Sequence, residues 1–275
     1  MDLSQIGTES IRQGNQNQWG IWGDRDWITA VADDIVPGVS YIEKFGLNAA
    51  TAAGDVIEDL SRAVNIRTTD STIEVISTGA NAADDAPAGT GAEAIEVFGC
   101  DINWNPISET IITNGASASS PSTQKFLYVY RARIVDSGAQ RNKGTITIRD
   151  SGGAGDDLAA ISLNGTTGYG QTNMAIFPVF AGCKLYLRIV RSEGSKTGTL
   201  TGTLGLTAYY LDEGIRVVHP ITFDNGDPRN VDWKHAAKVF PEKTLVWVEA
   251  IDISTGASIG ASFDGIIVRH RNSSV

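Results

Sequence analysis

Basic residues are scarce in this chain: 22 Lys and Arg stand against 32 Asp and Glu, a formal charge of −10. They gather into no stripe, and an acidic surface repels phosphate, so neither nucleic acid nor an anionic membrane is an expected partner. Cysteine is scarcer still. Cys100 and Cys183 lie in separate strand-like segments, which excludes a disulfide framework. The two thiols are either one bridge or two buried free groups, and the habit of free cysteine to be buried favours the second. No apolar run is long enough for a membrane-spanning helix. The opening MDLSQIGTES has neither a basic start nor an apolar core, so no secretory signal is expected. Long runs of Leu, Glu and Lys are also missing, which argues against a mainly helical protein.

Short β-like segments are abundant. With 275 residues, of which 41% are apolar, the chain can bury a sizeable core, and its 30 glycines sit among Thr, Ser and Asn in a turn-rich texture. From Ser71 onward, segments such as TIEVIS (72–77), AEAIEVFGC (92–100), KFLYVYRARIV (125–135), CKLYLRIVR (183–191) and TLVWVEAIDI (244–253) are rich in β-branched and aromatic residues. Turn clusters such as DSGAQRNKG, DSGGAGDD and SEGSKTG separate them. Strands in series without intervening helices predict an all-β fold, an antiparallel sandwich of jelly-roll type, over residues 71–275.

Residues 1–70 read differently. Trp19, Trp22 and Trp27 fall close together among Gly, Asn, Gln and Asp with no clean period. Three tryptophans carry too much apolar surface to leave in water, so the segment is expected to be an extended N-terminal arm lying against its own domain or a neighbouring subunit. An ordinary first strand pair of the main domain is the alternative. One short helix is expected after it: Asp55 can cap its start, Glu58 falls where a capping box needs it, and Val56, Ile57, Leu60 and Val64 line one side.

Catalytic signatures are lacking. His219, His235 and His270 show no paired-ligand spacing, no serine sits in a G-x-S-x-G elbow, and neither cysteine has a nucleophile's local pattern. Glu109, Asp212, Glu213, Asp224, Asp227 and Asp264 could supply the opposed carboxylates of a glycosidase, yet no pair stands out and solvated loop charges explain them as well. No cofactor is therefore expected. Calcium is the one candidate ion, through Asp150, Asp156 and Asp157 of DSGGAGDD or Asp224, Asp227 and Asp232 of DNGDPRNVD, although neither stretch follows an EF-hand pattern. Trp104, Trp233 and Tyr209 could stack on sugar rings.

The stretch GTGAEAIEVFGCDINWNPISETIITNG (89–115), continued by TQKFLYVYRARIVDSGAQRNKGTITIRDSGG (123–153), resembles a segment recurrent in structural proteins of tailed bacteriophages. Gly89 to Ala92, Gly99, Asp101, Asn103, Asn105, Ile107 to Thr110, Phe126 and Leu127, Arg131 and Gly144 to Asp150 occupy the matching places, with a looser echo at SFDGIIV (262–268). Cys100 departs from the small or aliphatic residue usual there. The resemblance implies an accessory virion component, a head-decoration protein or a head, neck or tail appendage, assembled in the host cytoplasm with other virion proteins, and it brings no active site. A homo-oligomer, a trimer by analogy with viral sandwiches, would be held by Trp19, Trp22, Trp27 and Trp104. The alternative is a receptor- or glycan-binding tail protein of the same fold using Trp233 and Tyr209. GCDINWNPISET is read as a hairpin whose turn residues fix its register, with Trp104 covering the loop or meeting a neighbour.

Overall fold

The first and last strands of the fold pair with each other. Val39–Thr51 (β1) runs antiparallel to Ala257–Arg269, from Val39 opposite Val268 to Thr51 opposite Ala257. This computed structural model describes residue 31 and residues 36–153, 155–164, 167–195, 200–224, 228–233, 237–254 and 256–269. After β1 come Ile73–Thr78 (β2), Ala92–Cys100 (β3), Pro106–Ile112 (β4), Tyr128–Ser137 (β5), Thr145–Asp150 (β6) and Asp157–Ile161 (β7). A two-residue pair, Leu163–Asn164 (β8) and Thr167–Gly168 (β9), follows. The rest are Ile176–Val179 (β10), Cys183–Ser195 (β11), Thr201–Tyr210 (β12), Gly214–Asp224 (β13), Arg229–Asp232 (β14), Lys238–Phe240 (β15), Thr244–Ile253 (β16) and Ala257–Arg269 (β17).

Two of the sheets define the topology. One has the order β1-β17-β11-β14, with β15 also pairing β11, and the other the order β10-β16-β12-β13. Counted along the chain among themselves, these strands stand as 1-8-3-6 and 2-7-4-5. That is the two-sheet jelly roll, and the expected antiparallel β-sandwich is what the chain forms. Leu185, Leu187 and Phe263 from one sheet meet Leu204, Leu206, Val246 and Val248 from the other in the core between them.

Residues 52–175 are inserted between the first and second strands of that roll. They form the sheets β2-β6-β7 and β4-β3-β5, whose apolar faces share a second core with Ile176, Leu245 and Trp247. Alternation along β16 explains the join: Val246 and Val248 point into the roll, whereas Leu245 and Trp247 point out of it into the insert. The strand is therefore buried on both faces, which accounts for its unbroken apolar run. Trp247 is fully buried and its indole N–H donates to Glu249 Oε2 at 2.9 Å.

The structure departs from the sequence expectations at two places. The sandwich does not begin at residue 71, because β1, expected within the arm, is a strand of the main sheet, and residues 71–175 belong to the insert. Residues 55–64 form no helix: the Ile57 N–H donates to Val248 O, the Ala175 N–H donates to Ile57 O, and Val56 and Glu58 make isolated bridges to Glu249 and Met174. Strand edges thus take the backbone groups a helix would have used. Asp55 caps a turn, accepting from the Ala52 N–H at 2.8 Å. At Gly46, β1 passes so close beneath this segment that any side chain would run into the Ile57 carbonyl.

Candidate functional site: a cationic cleft at the edge of the jelly roll

The expected site residues do not converge. Trp19, Trp22 and Trp27 lie outside the described residues, as do His235, His270 and Asp227. The hairpin is present: β3 and β4 pair from Cys100 opposite Pro106 to Ala94 opposite Ile112. Asp101 organises its tip, with Oδ1 accepting from the N–H groups of Asn103 (2.9 Å) and Asn105 (2.8 Å) and Oδ2 from Asn105 Nδ2 (3.1 Å). Trp104, read as covering the loop or meeting a neighbour, is only 3% exposed. A backbone φ of 66° turns it inward, its ring lies 5.3 Å from that of Tyr128, and its carbonyl accepts from the Ala181 N–H. It covers the loop, and its burial leaves no area for a partner.

Trp233 is half-buried against the jelly-roll core with its ring edge-on to His219 at 5.4 Å, whereas Tyr209 packs against the insert's core. The two rings make no common sugar platform. Cys100 and Cys183 are both free and buried, and burial pushes the Cys100 thiol up to about 12. Three of the candidate carboxylates are engaged locally. Glu109 accepts from the N–H groups of Thr123 and Gln124, Asp264 pairs with Arg191 at 2.8 Å, and Glu213 pairs with Arg216. Of the calcium candidates, Asp150 pairs with Arg67 and Asp156 accepts from Asn65. Among the described residues no group of three or more His, Cys, Asp or Glu is placed to hold a metal ion.

A different place gathers chemistry. Where β1 and β10 form the edge of the roll, the insert strand β5 closes over them and leaves an open cleft of about 810 Å³. Tyr130, Phe177 and Phe180 make its aromatic floor, with centroids 5.2 to 5.7 Å apart. Lys44 points into it from β1, 8% exposed, its Nζ donating to the Tyr130 carbonyl and lying 5.4 Å from the Tyr130 ring centre. Burial, reinforced by the nearby Arg131 guanidinium, pushes its ammonium down to about 7. Burial likewise pushes the Tyr130 phenol up to about 12. The lining carries three cations, Lys44, Arg131 and Arg269, against one carboxylate, Glu43. In a chain of formal charge −10 this is a local inversion of sign. Such a cleft can hold an anion beside aromatic surface.

Sequence reasoning missed Lys44. The signal was an alternation in VSYIEKFGLN that places a lysine at an inward position, legible only once residues 39–51 are read as a strand.

No protein-family model matches this chain, and no curated protein matches it. Among solved structures it is similar to chains of infectious bursal disease virus. The Gt strain structure aligns at 9% identity over 91% of this chain and 78% of that one, with a TM-score of 0.18. The Gx strain structure aligns at 10% identity over 88% and 75%, with a TM-score of 0.16. The VP2 subviral particle of the same virus gives 10% identity over 87% and 82%, with a TM-score of 0.11. Scores this low describe no shared superposition and carry no argument about this chain.

Proposed function

We propose that this chain is a structural protein of a tailed-bacteriophage virion, an accessory head-decoration protein or a head, neck or tail appendage, with no enzymatic activity. The observation that supports this most is how the residues of the resembling segment are used. Asp101 ties the hairpin tip, Glu109 holds the Thr123–Gln124 turn, Arg149 pairs with Glu74 at 2.8 Å, and Asp150 pairs with Arg67 at 2.9 Å. All of these polar groups serve the insert's own fold. A recurrent motif consumed in this way is a scaffold motif, as a particle component requires. The jelly roll agrees with such a role, since capsid domains use it, although lectins and cupins use it too and fold alone assigns no function. Trp233 and Tyr209 pack against different cores and so offer a glycan no joint platform.

In this reading the protein assembles in the host cytoplasm as a homo-oligomer, a trimer, bound to other virion proteins through Trp19, Trp22 and Trp27. The arm must end before Val31, because Val31 is buried with Val39 and Ile266. Mass spectrometry of purified particles should detect the chain in stoichiometric amount, and its absence from particles would overturn the virion reading. Light scattering of the full chain beside one starting at Val31 tests the arm. A trimer that falls to a folded monomer supports it; equal masses for the two chains sink it.

A further inference from the structure

The cleft between β1, β5 and β10 has no part in the assembly role just described. We propose that it is a binding site for an aromatic carboxylate, the anion meeting Lys44 and the ring lying on Tyr130 and Phe180. Three observations converge on it. Lys44 is a buried ammonium with three donors, and among the described residues it finds only the Tyr130 carbonyl and ring face, with no carboxylate partner. A cation held out of water without a counter-ion is costly, and an entering anion relieves that cost. The space is of the right kind: about 810 Å³, open at one side, aromatic at its floor, and within the roughly 300–1,000 Å³ typical of small-molecule sites. The rim adds Arg131 and Arg269, which favour negative charge in a molecule that is otherwise acidic.

The charged and titratable groups around the lysine are few. Tyr41 and Glu43 come from β1, Tyr130 and Arg131 from β5, Cys183 from β11 and Arg269 from β17, while β10 contributes Phe177 and no charge. Glu43, the one carboxylate of the lining, is exposed to solvent and makes no ion pair with Lys44 among the described residues. A bound carboxylate would stabilise the charged lysine, so binding takes up a proton near neutral pH. Because the free ammonium loses its proton around pH 7, affinity should fall about tenfold between pH 6 and pH 8.

The test is calorimetric titration of the full chain with 2-naphthoate and with its neutral isostere 2-naphthamide, at both pH values. The expected result is naphthoate bound at least about tenfold tighter than the amide at pH 6, with that preference shrinking at pH 8. Lys44→Met should abolish the preference. Equal affinities for acid and amide, no binding of either, or a preference that persists unchanged in Lys44→Met overturns the proposal. Should that variant fail to fold, the pH dependence of the natural chain decides, together with Phe180→Ala, which should weaken both ligands alike. None of these outcomes bears on whether the chain occurs in particles.

Discussion

The carboxylate of Asp85 lies where a side chain on Gly91 would have to go. Asp85 is fully buried, and Oδ1 accepts from the N–H groups of Ala92 (2.9 Å) and Lys143 (2.7 Å). Its Oδ2 accepts from the Gly144 N–H (2.7 Å) and Ser77 Oγ (2.6 Å). One side chain therefore joins the ends of β2, β3 and β6. Asp85→Ala would strand these buried donors, and at about 1–3 kcal/mol for each unsatisfied group the loss should exceed roughly 3 kcal/mol. Gly91→Ala should be destabilising as well, because the added methyl displaces the same carboxylate. Urea unfolding followed by tryptophan fluorescence measures both; a change under about 0.5 kcal/mol for either would contradict this account.

Trp104 is a stability residue and not an anchor for a partner. Removing its ring should cost about 3–5 kcal/mol, as for other buried aromatics. Mass by light scattering should stay that of the natural chain under conditions where Trp104→Ala remains folded. A fall in oligomer mass with unchanged stability would restore the partner role that the sequence suggested.

The contrast between β16 and β1 shows what could be read in advance. TLVWVEAIDI is apolar and β-branched enough to announce a strand by itself, and the hairpin at Asp101 announces its turn by chemistry. β1 instead carries Glu43, Lys44 and Asn48 among its apolar residues, and its partner lies at the other end of the chain, so local pattern could reveal neither the strand nor the pairing. Missing β1 hid the insert, and missing the insert hid the cleft. The helix expected from Asp55 failed for a related reason. Of its apolar positions Val56 and Ile57 are buried and Leu60 and Val64 half-buried, but the roll's edge groups at Ala175 and Val248 offer Ile57 a better use of its backbone than a short isolated helix.

Asp59 should make stability depend on mild acidity. Burial raises its carboxyl to about 6, against the bonds it accepts from Asn173 and Ser162. A carboxyl raised on folding favours the native state below its ordinary value of 3.8, and that contribution is lost as pH rises through 6. Asp59→Asn should therefore stabilise the chain above pH 6, by at most about 3 kcal/mol, and give no gain below pH 4. Melting temperatures of the two chains across pH 4–8 check this. A difference that does not change with pH would remove Asp59 as the cause.

Lys44 works in the opposite window. Above pH 7 the folded chain has released a proton that an unfolded lysine keeps until about 10.5, so the unfolded state binds more protons and stability rises with pH. The slope can reach about 1.4 kcal/mol per pH unit between pH 7 and 10. Beyond pH 10 the Tyr130 phenol, held protonated in the fold, opposes it, so the comparison belongs below that value. Lys44→Met removes the titrating group, and the difference in unfolding free energy between the two chains should narrow steadily as pH rises from 7, with the variant the more stable at pH 7. A difference that stays flat would mean that Lys44 reaches water or an anion in the natural fold, since only an uncompensated ammonium makes this cleft costly to form.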